Sequence, residues 1–230
     1  ILNQSGVGYT SDLITAFASV IQNRSKYHIV SVCLSVGTLG EDIEAVNSVI
    51  NEVIEEGILV VIAAGNTGIE TSDPLNKLAE NKNAIVVGAI NDIDQVTSYS
   101  SMGKEIESII KPDIVAPGGS KIPNHRSVIA ADKEVDKATP SYGTSIATAI
   151  VSASINLLIE ARWNAWNNLN LTEWVKPLKA FLLMTASETN LEREDDPVTT
   201  VDESDYSPSL SLAPLTTGLK DIHEGYGRLN

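Results

Sequence analysis

The sequence predicts an α/β domain, a three-layer αβα arrangement built on a mainly parallel sheet, from three observations. Unbroken apolar runs rich in β-branched residues recur at 29–36, 59–63 and 84–89, as strands buried on both faces do. Helical stripes alternate with them: Leu13, Ala16, Phe17, Val20 and Ile21 form one, and Ile43, Val46, Val49, Ile50 and Val53 another. A chain of 230 residues with 43% hydrophobic content is long enough to bury one sizeable core, and one large domain is favoured over two.

Taken in order, Ile1-Leu2 reads as the end of a strand, followed by the glycine-rich turn Ser5-Gly6-Val7-Gly8. Ser11 and Asp12 open a helix that ends near Asn23. The strand at 29–36 is bounded by Gly37 and Gly40, and Asp42 begins a helix that Gly57 stops. The strand at 59–63 leads into the loop Ala64-Gly65-Asn66-Thr67-Gly68, and the next strand is 84–89. Beyond Asn91 the pattern shortens to strands at 96–100, 114–116 and 127–130, with tight turns at Lys111-Pro112-Asp113 and Pro117-Gly118-Gly119. A long apolar helix then runs from Ser145 to Ile159. Trp163, Trp166 and Trp174 read as packing residues in its amphipathic tail and a loop. Pro177 suits the first turn of a last helix reaching about Ala186. The acidic, poorly patterned stretch 192–205 reads as a mobile solvated loop without a rigid frame to hold a metal.

Composition excludes several function classes. A formal net charge of -14 leaves no basic face for nucleic acid and disfavours an anionic membrane surface. No unbroken apolar run reaches the roughly 20 residues of a membrane span, and the first residues are neither a signal nor a transit peptide. Cys33 cannot form an internal disulfide and is expected to be a buried small apolar residue.

Chemistry concentrates at two separated places. Ser145 opens a helix within Gly143-Thr144-Ser145-Ile146-Ala147-Thr148, where free N–H groups and the helix dipole favour negative charge. The plainer reading of this serine is a helix cap. Asn66 leaves the carboxyl end of a buried strand, where open α/β sheets place their ligands, and its amide can donate a hydrogen bond. Its plainer reading is a turn residue. Together the two supply a nucleophile and a two-donor oxyanion hole, the equipment of acyl transfer.

Three motifs in this order, Ala63-Ala64-Gly65-Asn66, Lys111-Pro112-Asp113-Ile114-Val115-Ala116-Pro117-Gly118 and Gly143-Thr144-Ser145-Ile146-Ala147-Thr148, resemble those of the subtilisin-like serine proteases. Tyr99-Ser100-Ser101-Met102-Gly103 and the terminal His223-Glu224-Gly225-Tyr226-Gly227-Arg228-Leu229-Asn230 also resemble family segments. The resemblance implies a subtilisin-like fold, incomplete at its amino-terminal side, with 1–230 forming the nucleophile and oxyanion-hole portion of a catalytic domain. It implies Ser145 as nucleophile and Asn66 as oxyanion donor. Gly6-Val7-Gly8 and Ser35-Val36-Gly37 would pair with an extended peptide or protein substrate, and Ala63, Ala64 and Gly65 would wall its specificity pocket. An extracellular or cell-surface location is implied as well. So is structural calcium with ligands unassigned, although the chemistry itself requires no cofactor.

The family's triad runs Asp, His, Ser, and its first two members have no counterpart here. His28, His125 and His223 match no catalytic-histidine motif and read as surface or packing residues. Without a base Ser145 is an ordinary alcohol, so the chain alone is expected to be almost inert until a portion carrying Asp and His, from the same precursor or a second chain, joins it. The alternative is a non-catalytic binding or assembly module that keeps the fold. Ala149 and Ile150 replace the proline and histidine usual after the serine motif, and alanine suits a helix interior better.

Overall fold

The computed structural model describes residues 1–38, 43–69, 71–107, 109–122, 125–166, 171–194 and 220–230. The elements begin α1 (Thr10–Tyr27), β1 (Ser31–Leu34), α2 (Glu44–Glu55) and β2 (Leu59–Ala63), then a 3-10 turn (Lys77–Glu80) and β3 (Ile85–Ile90). Short strands follow: β4 (Gln95–Val96), β5 (Glu105–Ile106), β6 (Ile109–Ile110) and β7 (Ile114–Pro117). After β8 (Val128–Ala131) and β9 (Ala138–Ser141) come the helices α3 (Thr144–Trp166) and α4 (Leu171–Met184), and then β10 (Asn190–Arg193).

β1, β2, β3 and β7 are parallel neighbours in that order. β4 joins β3 antiparallel through Ile90 and Val96, and β10 lies parallel to β4. Side-chain alternation along β2 separates the two outer layers. Val60 and Ile62 face α1 and α2 with Phe17, Val46 and Ile50, whereas Leu59 and Val61 face α3 and α4 with Val151, Ile155 and Leu178. All five residues of β2 are buried, so neither face needs a polar residue and the run reads as unbroken. Each of its valine, leucine and isoleucine side chains contributes about 1.5–3 kcal/mol by leaving water.

Within α3, Thr144–Arg162 is a 19-residue stretch of mean hydropathy 1.5, long and apolar enough by length and composition to cross a membrane. A count of unbroken apolar residues misses it because serine and threonine interrupt the run. In the fold Ala147, Val151 and Ile155 are fully buried against the sheet, which accounts for the apolar character on that side.

Several boundaries differ from the sequence reading. Ile1-Leu2 is not a strand. The first residues coil around Asn3, whose carboxamide oxygen accepts the N–H groups of Ser5 and Val7. α1 continues past Asn23 for a polar turn and is closed by His28 in the left-handed conformation. The residue proposed to open α2, Asp42, lies outside the described residues, and the helix begins at Glu44. Only Gln95 and Val96 of 96–100 and its flank are strand, because the Ser100 N–H turns back to the Thr97 carbonyl. Pro177 sits inside α4, not in its first turn, and the buried stripe Trp174, Val175, Leu178 and Leu182 carries the helix across it. Trp174 therefore lies in this helix, and the side chains of Trp163 and Trp166 lie outside the described residues.

The start of the acidic stretch is also ordered. Glu192 and Arg193 belong to β10, and Arg193 and Glu194 are 1% exposed. Arg193 donates to the Ser100 carbonyl at 2.7 Å, and Glu194 accepts from Asn91 at 3.1 Å, so charges that suggest a solvated loop are paired in the interior. Residues 195–205 lie outside the described residues. Cys33 is exposed, contrary to the expected burial, and among the described residues β1 has a strand on one side only, so the sheet faces are less covered there.

Candidate active site

Parallel pairing sets Leu34 beside Ile62, so β1 and β2 release Ser35-Val36-Gly37 and Ala64-Gly65-Asn66 next to one another at the carboxyl end of the sheet. The amino terminus of α3 meets them there. The Ser35 hydroxyl donates to the Ser145 carbonyl at 3.1 Å. Ser145 is half-buried, Asn66 is exposed and Thr144 is fully buried between them.

Thr144 fixes which way Asn66 faces. Its backbone N–H and its hydroxyl both donate to Asn66 Oδ1, each at 2.9 Å. Since a backbone N–H can only donate, that atom must be the carboxamide oxygen, and Nδ2 is the end left for a ligand. The Thr144 hydroxyl also accepts the Gly65 N–H at 3.2 Å. Ser145 lies in the first turn of α3, where a backbone N–H has no helical acceptor. A β-carbon built on Gly143 would stand 3.4 Å from Asn66 Nδ2 and 3.8 Å from the Ser145 nitrogen. Both donors thus border one small space, which glycine leaves open, and the φ of +142° at Gly143 is one that only glycine adopts readily.

The proposed peptide edges also come together. Gly6, Val7 and Gly8 face Val36 and Gly37 across a cleft of about 380 Å³ whose floor includes Leu13 and Leu78. Val7 is 57% exposed, and the edges can be approached from solvent. Ala63 and Ala64 are buried and Gly65 half-buried at the end of β2. Asn76, which the sequence reading did not single out, ties the two walls together. Its Nδ2 donates to the Val36 carbonyl at 3.0 Å and the Ala63 carbonyl at 3.1 Å, and its backbone N–H donates to the Ala64 carbonyl at 2.7 Å. Asn76 also caps the following 3-10 turn, a role its position before Lys77 could suggest, but no local signal marks the contacts to the strands.

Behind the site, Lys111-Pro112-Asp113 is a buried ionic knot. Asp113 accepts from Lys111 at 2.6 Å, Lys220 at 2.8 Å and the Val86 N–H at 2.9 Å, with Lys179 3.8 Å away. Burial alone would raise the Asp113 pKa, but the three lysines hold it well below the usual carboxylate range. Burial pushes Lys111 down to about 7 against the attraction of Asp113. The knot anchors β7 and, through it, the Pro117-Gly118 turn that packs against Gly143.

No histidine hydrogen-bonds Ser145 among the described residues. His28 caps α1, His125 contacts Asp92 at 3.1 Å, and His223 is buried 3.2 Å from Arg193, with burial pushing its pKa down to about 3. Among the described residues no group of three or more His, Cys, Asp or Glu side chains could hold a metal ion.

A serine at a helix start, an asparagine amide beside it and an open space bordered by both donors thus meet at the carboxyl end of the α/β sheet. The model of the subtilase family, Peptidase_S8, matches residues 1–207, and the chain belongs to that family. It is 30% identical to the serine protease AprX of Bacillus subtilis over 185 residues, covering 70% of this chain and 41% of that protein. It is 31% identical to the cell wall-associated protease of the same organism over 176 residues, covering 75% of this chain and 16% of that protein. The chain thus spans less than half the length of these relatives. Among solved structures Sphericase superposes with a TM-score of 0.73 at 22% identity, covering 100% of this chain and 66% of that one, a likeness of fold.

Proposed function

We propose that this chain is the nucleophile and oxyanion-hole portion of a serine endopeptidase, with Ser145 as the attacking group. The observation that carries the reading is the space at Gly143 bordered by Asn66 Nδ2 and the Ser145 N–H. A substrate carbonyl oxygen seated there meets two donors fixed in advance by Thr144 and by the start of α3, so they need not reorganise as negative charge develops. The peptide runs as an extended strand between Gly6-Val7-Gly8 and Ser35-Val36-Gly37, and the side chain before the cleaved bond enters beside Ala63, Ala64 and Gly65. Ser145 Oγ bonds to the carbonyl carbon as its proton passes to a base. The carbon–nitrogen bond then breaks with the proton delivered to the departing amine, and water later releases the acyl group by the same route.

The base and its carboxylate partner come from a portion of protein carrying Asp and His, and 1–230 forms one partial catalytic domain with that portion. The outer edge of β1 supports this: among the described residues no strand pairs with it, and Cys33 and the nearby Tyr9 and Val7 are exposed. An added parallel strand satisfies that edge. Location outside the cell or at its surface is supported by relatives called a minor extracellular protease and a cell wall-associated protease.

The test is peptide hydrolysis by the chain alone and by the chain joined to the Asp- and His-bearing portion. Cleavage in the joined protein that Ser145→Ala abolishes is the expected result. A joined, folded protein that cleaves no peptide and binds partners unchanged by Ser145→Ala would establish the binding-module alternative instead.

A further inference from the structure

Resting on that reading, we infer that Tyr99 is a positioning residue whose phenol hydroxyl clamps the turn that presents Ser145. Tyr99 is 4% exposed. Its ring lies in the core with Ala89, Ile114 and Ala116, and a phenylalanine would fill that apolar place without the cost of a buried hydroxyl. The hydroxyl is placed where three backbone groups from two turns converge. It lies 2.9 Å from the Gly118 carbonyl and 2.5 Å from the Gly119 carbonyl, and it accepts the Gly143 N–H at 3.1 Å. Carrying one proton, it donates to one carbonyl at a time, with Gly119 the nearer, and accepts from Gly143 through a lone pair.

The surroundings leave this junction little freedom. A β-carbon at Gly118 would come within 2.8 Å of the Tyr99 oxygen and 2.5 Å of the Ala89 side chain, so the turn after β7 lies directly on the phenol. A β-carbon at Gly119 would come within 2.9 Å of the Ser141 carbonyl, so the end of β9 closes on the same turn. Gly143 also donates to the Gly118 carbonyl at 2.9 Å, which makes its N–H a shared bond between the turn and the phenol. The Tyr142 ring stacks at 5.4 Å, tilted, over the Tyr99 ring. Burial raises the phenol pKa, so the hydroxyl keeps its proton across the working range.

From Gly143 the effect passes along two covalent steps. Thr144 holds Asn66 by two hydrogen bonds, and Ser145 follows it. Fixing Gly143 therefore fixes both oxyanion donors and the nucleophile together, without Tyr99 touching the substrate. A displacement of a fraction of an ångström at Gly143 moves the donors relative to the carbonyl and lowers the rate of the bond-forming step more than ground-state affinity.

The test compares wild type with Tyr99→Phe in the native protein containing this chain, using amide hydrogen exchange resolved at single residues together with kcat and KM for a peptide substrate. Gly143 is expected to exchange about tenfold faster in the variant while β2 and β3 amides keep their protection, and kcat is expected to fall about tenfold with KM unchanged. Unchanged exchange at Gly143 overturns the clamp. Equal acceleration throughout β2 and β3, or an effect carried by KM, overturns the positioning role. If the wild type shows no Ser145-dependent turnover, the protease reading fails on that result, and exchange at Gly143 still decides whether the phenol holds the turn.

Discussion

Replacing Gly143 by alanine adds one carbon, and the structure specifies where it goes. The new β-carbon would lie 3.4 Å from Asn66 Nδ2 and 3.8 Å from the Ser145 nitrogen. An oxyanion needs both donors at about 2.7–3.1 Å, and the methyl group competes for that space. Losing one such donor typically lowers kcat by about 10²–10³-fold, a scale set by subtilisin's own asparagine and taken over from it, and the methyl group obstructs both. The expected fall in kcat/KM is at least about 10³-fold. The φ of +142° adds strain of about 1–3 kcal/mol, to be read separately by chemical denaturation. Gly57→Ala supplies the control, because its φ of +84° imposes backbone strain just after α2, away from the donors. Peptide hydrolysis at a temperature where both variants stay folded is the assay. A Gly143→Ala protein within tenfold of wild type would refute the assignment of that space to the oxyanion.

Asn76→Ala removes the donors that join the Val36 and Ala63 carbonyls, so KM is expected to rise about three- to tenfold with kcat changed less. Steady-state kinetics check this, and an effect confined to kcat would contradict the pocket-wall role. Glu224 is 1% exposed, and burial pushes its pKa up to about 8. The folded state therefore holds a proton that the unfolded state releases from about pH 4.3 upward, and stability is lost as pH rises from there through about 8. Glu224→Gln keeps the neutral form and removes that loss. The variant should gain stability relative to wild type as pH rises from about 4 to about 9 in denaturant titrations, and an equal pH dependence in both proteins would count against it.

How much of this was legible in the sequence depended on whether the cause was local. β2 matches its predicted bounds because a strand buried on both faces by its neighbours needs no polar position, and composition alone records that. Ser145 and Asn66 could be paired from sequence because a strand end and a helix start have fixed polarity. The orientation of the Asn66 amide could not, because it is set by Thr144, 78 residues away. Asn76, and the role of Tyr99 within its family-like segment, escaped for the same reason: their hydrogen bonds reach backbone groups brought near only by the sheet. At Glu192 the run of charge reads as a sign of solvent. Arg193 and Glu194 instead find partners at Ser100 and Asn91, 93 and 103 residues away in sequence. Pro177 was placed in a first turn by its backbone preference, and the buried stripe through Leu178 and Leu182 outweighed that preference.

The central claim is that Ser145 is a nucleophile served by Asn66. It is tested most directly by reacting the native protein, with its Asp- and His-bearing portion present, with a fluorophosphonate and mapping the modified residue by mass spectrometry. The expected result is a single adduct on Ser145, lost in Ser145→Ala and formed at least about a hundredfold more slowly in Asn66→Ala. A folded protein that forms no adduct at Ser145, or one whose labelling rate is unchanged by Asn66→Ala, would contradict it.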